Sequence, residues 1–186
     1  VPGAIGRKAI HLLDKDETDQ KPKMTEMWID IGATSRDQAG SVVRLGDVAT
    51  FQYEFQMLMG GRATARAFDN KAGLYIIAEA MRMLQEEGGL DPGVGVYAVA
   101  SVQEEIGSRG AQIAAHAIGA RTGLAVDMGQ ATDYPDADVR QYGVLDIGKG
   151  PGIDRGANTN QAVFDILTRA AAEDVHHRLA TLALHR

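Results

Sequence analysis

The sequence predicts an α/β fold, a mostly parallel sheet flanked by helices, with a β-rich unit ahead of it. Three observations predict this. Up to about residue 62 the apolar positions follow strand spacing, most cleanly where Ala49, Phe51, Tyr53 and Phe55 alternate with Thr50, Gln52, Glu54 and Gln56. From about Arg62 short strand candidates alternate with helical patterns, as βαβ units do. Successive strand candidates in that second part also end in acidic residues. The expected organisation is therefore a β-rich domain over 1–62 and an α/β domain over 63–186.

Taken in order, Ala9 to Leu13 and Met27 to Ile31 are short apolar segments around a charged loop, Asp14 to Lys23, that contains Pro22. Ser35-x-x-Gln38 fits a capping box, so a short helical turn is expected after Ile31. Leu45-Gly46-Asp47 is a turn signal, and Gly60-Gly61 ends the alternating run. Ala63 to Phe68 is a short strand candidate ending at Asp69-Asn70. A helix from Lys71 to about Glu87 follows, with Leu74, Ile77, Ala78, Met81 and Leu84 on one face, and Gly88-Gly89 stops it.

Val94, Val96, Val99 and Val102, with Tyr97 among them, suit a buried strand. Gln103-Glu104-Glu105 closes it, Gly107 and Gly110 permit a tight turn, and Ala111 to Ile118 reads as an apolar helix. Leu124 to Val126 is another strand candidate, ending at Asp127. A polar loop, Gln130 to Asp138, leads to Val144 to Ile147 and the glycine-rich stretch 148–156. The final long helix starts near Asn160, with Val163, Ile166, Leu167 and Ala170 on one face.

Composition narrows the class. The chain has 186 residues, 45% hydrophobic and 24% charged, as in ordinary globular proteins. A net charge of −6 with no Lys/Arg cluster argues against nucleic acid as a partner. The absence of cysteine excludes disulfides, thiolate zinc sites and a cysteine nucleophile, and fits a cytoplasmic protein. No apolar run approaches the roughly 18 residues that span a membrane, so no membrane partner is expected.

The chemistry gathers at the strand ends. Asp69, the Glu104/Glu105 pair and Asp127 each close a strand candidate, and in open α/β sheets ligands bind at that edge. Carboxylates clustered without cations repel and raise one another's pKa, and divalent metals remove that penalty. Each acid alone has a plainer reading: Asp69 as a helix cap, Asp127 as a turn former, Glu104-Glu105 as a solvated turn.

At this point the residues resemble a known family. Ala67-Phe68-Asp69-Asn70-Lys71-Ala72-Gly73, then Gln103-Glu104-Glu105-Ile106-Gly107-Ser108-Arg109-Gly110-Ala111, then Ala125-Val126-Asp127, closely resemble the tetrahedral and glutamyl aminopeptidases. These are co-catalytic metallopeptidases of zinc-peptidase-like fold, some of whose members were labelled endoglucanases. Pro2-Gly3-x-Ile5-Gly6, Ile29-Asp30-Ile31-Gly32-Ala33, Val43-x-Leu45-Gly46-Asp47 and Gly148-Lys149-Gly150-Pro151 agree in order and spacing, over about residues 1–175.

The resemblance implies a role for each acid. Asp69 matches the carboxylate that bridges two metals, Glu105 and Asp127 match ligands to one metal each, and Glu104 matches the general base. It further implies two divalent ions, zinc or cobalt, and peptide substrates hydrolysed from the N-terminus. Residues 1–62 correspond to most of an inserted domain used for subunit contacts, in homo-oligomers whose dimers assemble into a dodecamer. Two features of the family are missing: its first metal histidine, from a His-x-Asp motif, and its last, from a C-terminal stretch. No His-x-Asp occurs here, and His11, His116, His176 and His177 match neither motif. His116 reads as a packing or surface residue, and His176-His177 as favourable charges near a helix end.

Three rival readings stand beside this one. Gly143-x-x-x-x-Gly148-Lys149 nearly spells a phosphate-binding loop, but Gly150-Pro151 replaces the Ser/Thr and no helix follows directly. A non-catalytic assembly protein would keep the interaction domain and an incomplete metal site. Glycoside hydrolysis would pair Glu104 with a second acid and leaves Asp69 and Asp127 without a role.

Asp69, Glu105 and Asp127 alone form an oxygen-only donor set, whereas catalytic zinc usually has a histidine or thiolate among its ligands. The 186-residue chain is therefore expected to bind zinc weakly and to hydrolyse little or no peptide. Calorimetric zinc titration beside an assay on aminoacyl chromogenic substrates checks this. Tight uptake of two zinc ions with normal turnover would show ligands elsewhere.

Overall fold

Gly3 and Gly6 are required by the strand beside them. In the computed structural model, which describes residues 1–15, 20–173 and 180–183, β1 (Ala4–Arg7) pairs antiparallel with β2 (Met27–Asp30). Ile5 lies opposite Ile29 and Gly6 opposite Trp28. A Cβ on Gly6 would stand 2.5 Å from the Trp28 Nε1, and one on Gly3 2.6 Å from Ile29 Cγ2. Any larger residue would push this hairpin apart.

The capping signal forms as read. Helix α1 (Arg36–Gly40) begins at Ser35, whose Oγ accepts from Gln38 N at 3.1 Å. The Gln38 side chain reaches back one residue further than a standard box, accepting from Thr34 N at 2.8 Å. The turn at 44–47 closes through Asp47 Oδ2, which accepts from Arg44 N at 2.8 Å.

The chain divides into two units, Val1–Gln52 and Tyr53–Arg186. Residues 53–62 find partners further along the chain. β3 (Gln56–Met57) pairs antiparallel with β4 (Ala63–Thr64), and Leu58 N donates to Arg62 O at 2.7 Å. The Phe55 ring meets Phe68 edge-on, centroids 6.2 Å apart. Only the end of the period-2 run is strand. From Ala49 to Phe55 no strand forms and Phe51 is 73% exposed. Alternation says which face would be buried, but it supplies no partner strand.

In the second unit α2 (Phe68–Glu86), α3 (Arg109–Ile118) and α5 (Gln161–Glu173) follow the expected order of helices, and a short α4 (Val139–Tyr142) forms after the polar loop, where none was expected. Gly88 and Gly89 end α2 with φ of 100° and 83°, a conformation that favours glycine. Asn160 caps α5, its Oδ1 accepting from Ala162 N at 3.0 Å and Val163 N at 3.2 Å. Phe164 on α5 is buried, with the Arg155 guanidinium 5.6 Å from its ring centroid.

The expected strands differ more. Among the described residues, the one parallel pair is β5 (Gly152–Arg155) with β6 (Ala180–Ala183). The segments 94–102, 124–126 and 144–147 carry no strand ladder. Parallel pairing is non-local and needs both strand edges and both faces covered, whereas apolar composition marks only the candidates. Val94 and Val102 are accordingly exposed, and among the described residues the buried large apolar side chains are Leu145 and Phe164. No helix among the described residues is long and apolar enough to cross a membrane.

Replacing Ser35 with Ala should remove the one side-chain cap of α1 and destabilise the first unit by about 0.5–1 kcal/mol. Thermal unfolding of Ser35→Ala, with Ser35→Asp as the cap-preserving control, checks this.

Candidate metal centre

Asp69 stands where the chain bends into a helix. Ala67 adopts a left-handed conformation with φ of 65°, and Asp69 and Asn70 keep non-helical backbone angles before α2 becomes regular. The peptide between Asp69 and Asn70 is cis. The Asn70 side chain is used at both ends: Oδ1 accepts from Gly73 N at 2.8 Å and Nδ2 donates to Val126 O at 2.6 Å. Gly73 is the buried residue of α2, and a Cβ there would run into that carboxamide, 2.8 Å from Asn70 Cγ.

Glu104 and Glu105 sit on a turn wound over the start of α3. Gln103 is left-handed, with φ of 61°, and turns the chain out of its apolar run. Glu104 O accepts from Gly107 N at 2.9 Å and Ser108 N at 2.8 Å, while Gly110 N donates to Val102 O at 3.0 Å. A Cβ on Gly110 would lie 2.6 Å from that same carbonyl oxygen. Both carboxylates are exposed, and Glu104 Oε1 accepts from Ser108 Oγ at 3.2 Å.

Asp127 follows Val126 directly, and its Oδ1 accepts from Met128 N at 2.8 Å. Beyond it the chain is anchored on Leu145. Thr132 N donates to Leu145 O at 2.7 Å, and Leu145 N donates to Thr132 Oγ1 at 2.8 Å. Thr132 is buried, and Gly129 has a Leu145 methyl where its Cβ would be. Arg62 reaches the same loop through an ion pair with Asp133 at 3.0 Å.

The structure thus joins the backbone segments carrying Asp69 and Asp127, since the residue after one holds the residue before the other. It places Glu104 and Glu105 together on their own turn. Among the described residues, no three His, Asp or Glu side chains stand close enough to hold a metal ion. In kind the donors fit a divalent cation, being carboxylate oxygens at open positions; in number they provide part of a centre. His116, in the last turn of α3, is exposed, and His176-His177 lie outside the described residues. Among the described residues the resolved pKa shifts fall on the later part of α2. There the Arg82 guanidinium, paired with Glu79 and Glu86, holds Glu79 below its usual range and is itself raised.

Asn70, Gly73, Thr132 and Leu145 carry no assigned role in the reading of the residues. Gly73 did leave a signal, since glycine inside a helix costs about 1 kcal/mol against alanine and marks a close approach. Thr132 and Leu145 left none, being ordinary residues in a polar loop and an apolar run.

Known proteins resemble this chain over most of its length. The family model for the M42 glutamyl aminopeptidases matches residues 1–183. A putative aminopeptidase, FrvX, of Escherichia coli strain K12 is 32% identical over 178 residues, 94% of this chain and 48% of that protein. A lysyl aminopeptidase of Pyrococcus furiosus is 35% identical over 161 residues, 85% of this chain and 44% of that protein. The crystal structure of a TET aminopeptidase from the marine sediment archaeon Thaumarchaeota archaeon SCGC AB-539-E09 superposes with a TM-score of 0.83. It is 32% identical and covers 99% of this chain and 52% of its own. The chain spans about half the length of the curated relatives it matches.

Gly110→Ala should force the Glu104 turn away from Val102 and destabilise the protein by roughly 1–3 kcal/mol, the scale of an overpacked site. Denaturant unfolding measures it, and an unchanged midpoint would show that the turn yields freely.

Proposed function

This chain belongs to the M42 glutamyl aminopeptidase family, and we propose that the whole protein is a metal-dependent aminopeptidase releasing N-terminal residues from peptides. The observation that carries the reading is the ordered set Asp69, Glu104-Glu105 and Asp127, lying within a family match over residues 1–183. Asp69, Glu105 and Asp127 would hold two divalent ions, zinc or cobalt, with donors supplied beyond these three. When bound, such ions lower the pKa of water and stabilise developing negative charge on a carbonyl oxygen.

Glu104 carries the proton chemistry. Its carboxylate stays free of the ligand set, takes a proton from the attacking water and returns it to the departing amine. The Ser108 hydroxyl, 3.2 Å from Glu104 Oε1, orients that side chain while leaving the second oxygen free for the proton. The short turn between Glu104 and α3 fixes the carboxylate's origin, so its reach is set by one side chain's rotamers.

Under the same reading the segments 94–102, 124–126 and 144–147 are strands of a parallel sheet completed in the whole protein, and residues 1–62 are most of an inserted domain for subunit contact. The structural likeness to the TET aminopeptidase supports both. The protein would work in the cytoplasm as a homo-oligomer, dimers joining into a dodecamer. A second reading, a non-catalytic assembly protein, draws support from the incomplete donor set among the described residues.

In the full-length protein Glu104→Gln should keep its metals and lose roughly 10²–10⁴-fold in kcat, the scale of a general base. Asp69→Asn should lose metal, because a neutral amide bridges two cations poorly. Metal content by mass spectrometry beside hydrolysis of aminoacyl chromogenic substrates tests both. Equal metal loss in the two variants would show the base misassigned, and absent activity with no metal uptake would favour the assembly protein.

A further inference from the structure

We infer that Asn70 is a positioning residue whose carboxamide sets Asp69 against Asp127; this rests on the aminopeptidase reading of those two acids. A carboxamide is planar, with one acceptor and one donor end at fixed separation. Here Oδ1 takes the N–H of Gly73 in the first turn of α2, and Nδ2 gives its proton to the carbonyl of Val126. Asp69 is one residue before the first partner's holder and Asp127 one residue after Val126. One rigid group therefore ties together the backbones of two acids 58 positions apart (127 − 69).

The surroundings are built for that group. Asn70 is half-buried, and the space its carboxamide fills exists because residue 73 has no side chain. Aspartate would match the shape but offer no donor, and would set a negative charge against the Val126 carbonyl. Glutamine would add a methylene and move both ends. Alanine would leave both Gly73 N and Val126 O without this partner. Carboxylates meant to share cations need their separation held before the cation arrives, which residues behind the ligands usually ensure.

A simple cap and a clamp make different demands. Capping Gly73 N requires Oδ1 alone, and aspartate does that as well as asparagine, with the helix dipole in its favour. The clamp requires Nδ2. In the full-length protein Asn70→Asp should therefore keep the cap, lower the thermal midpoint by only a few degrees for the lost Val126 bond, and weaken zinc affinity 10- to 100-fold, the scale for a group that orients a ligand. The absorption spectrum of the cobalt-loaded protein should shift, and kcat should fall more than KM changes. Gly73→Ala, which displaces the same carboxamide from the other side, should act in the same direction, and the double variant should add little to either. Hydrogen exchange supplies a readout free of metal and activity: Asn70→Asp should loosen 67–73 and 124–128 together.

Zinc affinity and cobalt spectrum unchanged in Asn70→Asp would overturn the inference, as would exchange rising in the first turn of α2 alone. If the unsubstituted protein takes up no metal and hydrolyses nothing, the aminopeptidase reading fails. The exchange measurement then decides the clamp by itself.

Discussion

The hydrogen bond from Asn70 Nδ2 to Val126 O is the constraint on which the proposed site depends. It ties the start of α2 to the segment ending at Asp127. With it, a connected path runs from Gly73 through Asn70 to Val126, past Asp127 to Gly129 and Thr132, and on to Leu145. Each bond contributes about 1 kcal/mol net, so the path adds modestly to stability. Its effect is on position: it limits where two carboxylates can stand.

Backbone strain concentrates at the same places. Ala67, Gln103 and Ser108 are non-glycine residues with φ of 65°, 61° and 51°. The first two lie just before acids assigned to the site, and the third follows the Glu104-Glu105 pair. Each such conformation costs of order 1 kcal/mol and persists where the surroundings over-determine it. Here those surroundings are the four backbone bonds that wind 102–110 and the carboxamide that holds the entry to α2. Among the described residues one further instance, Asp136, sits in the polar loop before α4.

Helices were more legible in the sequence than strands, for a physical reason. A helix satisfies its own backbone within a few residues, so periodicity and a local stop, such as Leu74 to Leu84 before Gly88-Gly89, are nearly sufficient. Asn160 and Ser35 announced helix starts through side chains that bond two or three residues onward. A strand is defined by a partner elsewhere, which neither the alternation at 49–55 nor the valines at 94–102 identify. The acids of the proposed site stand out in the sequence because carboxylates ending successive segments form a pattern. The carboxamide behind them does not, because an asparagine near a helix start has an ordinary local explanation.

Trp28 lies across Gly6 in the first hairpin and is the sole tryptophan of the chain, while all five tyrosines, at 53, 75, 97, 134 and 142, belong to the second unit. The two units therefore carry different chromophores. Indole emission, from a ring 53% exposed, reports on the β1–β2 hairpin, and phenol absorbance reports on the unit that holds the acids. Melting followed at the two wavelengths separates loss of one unit from loss of the other with no label added.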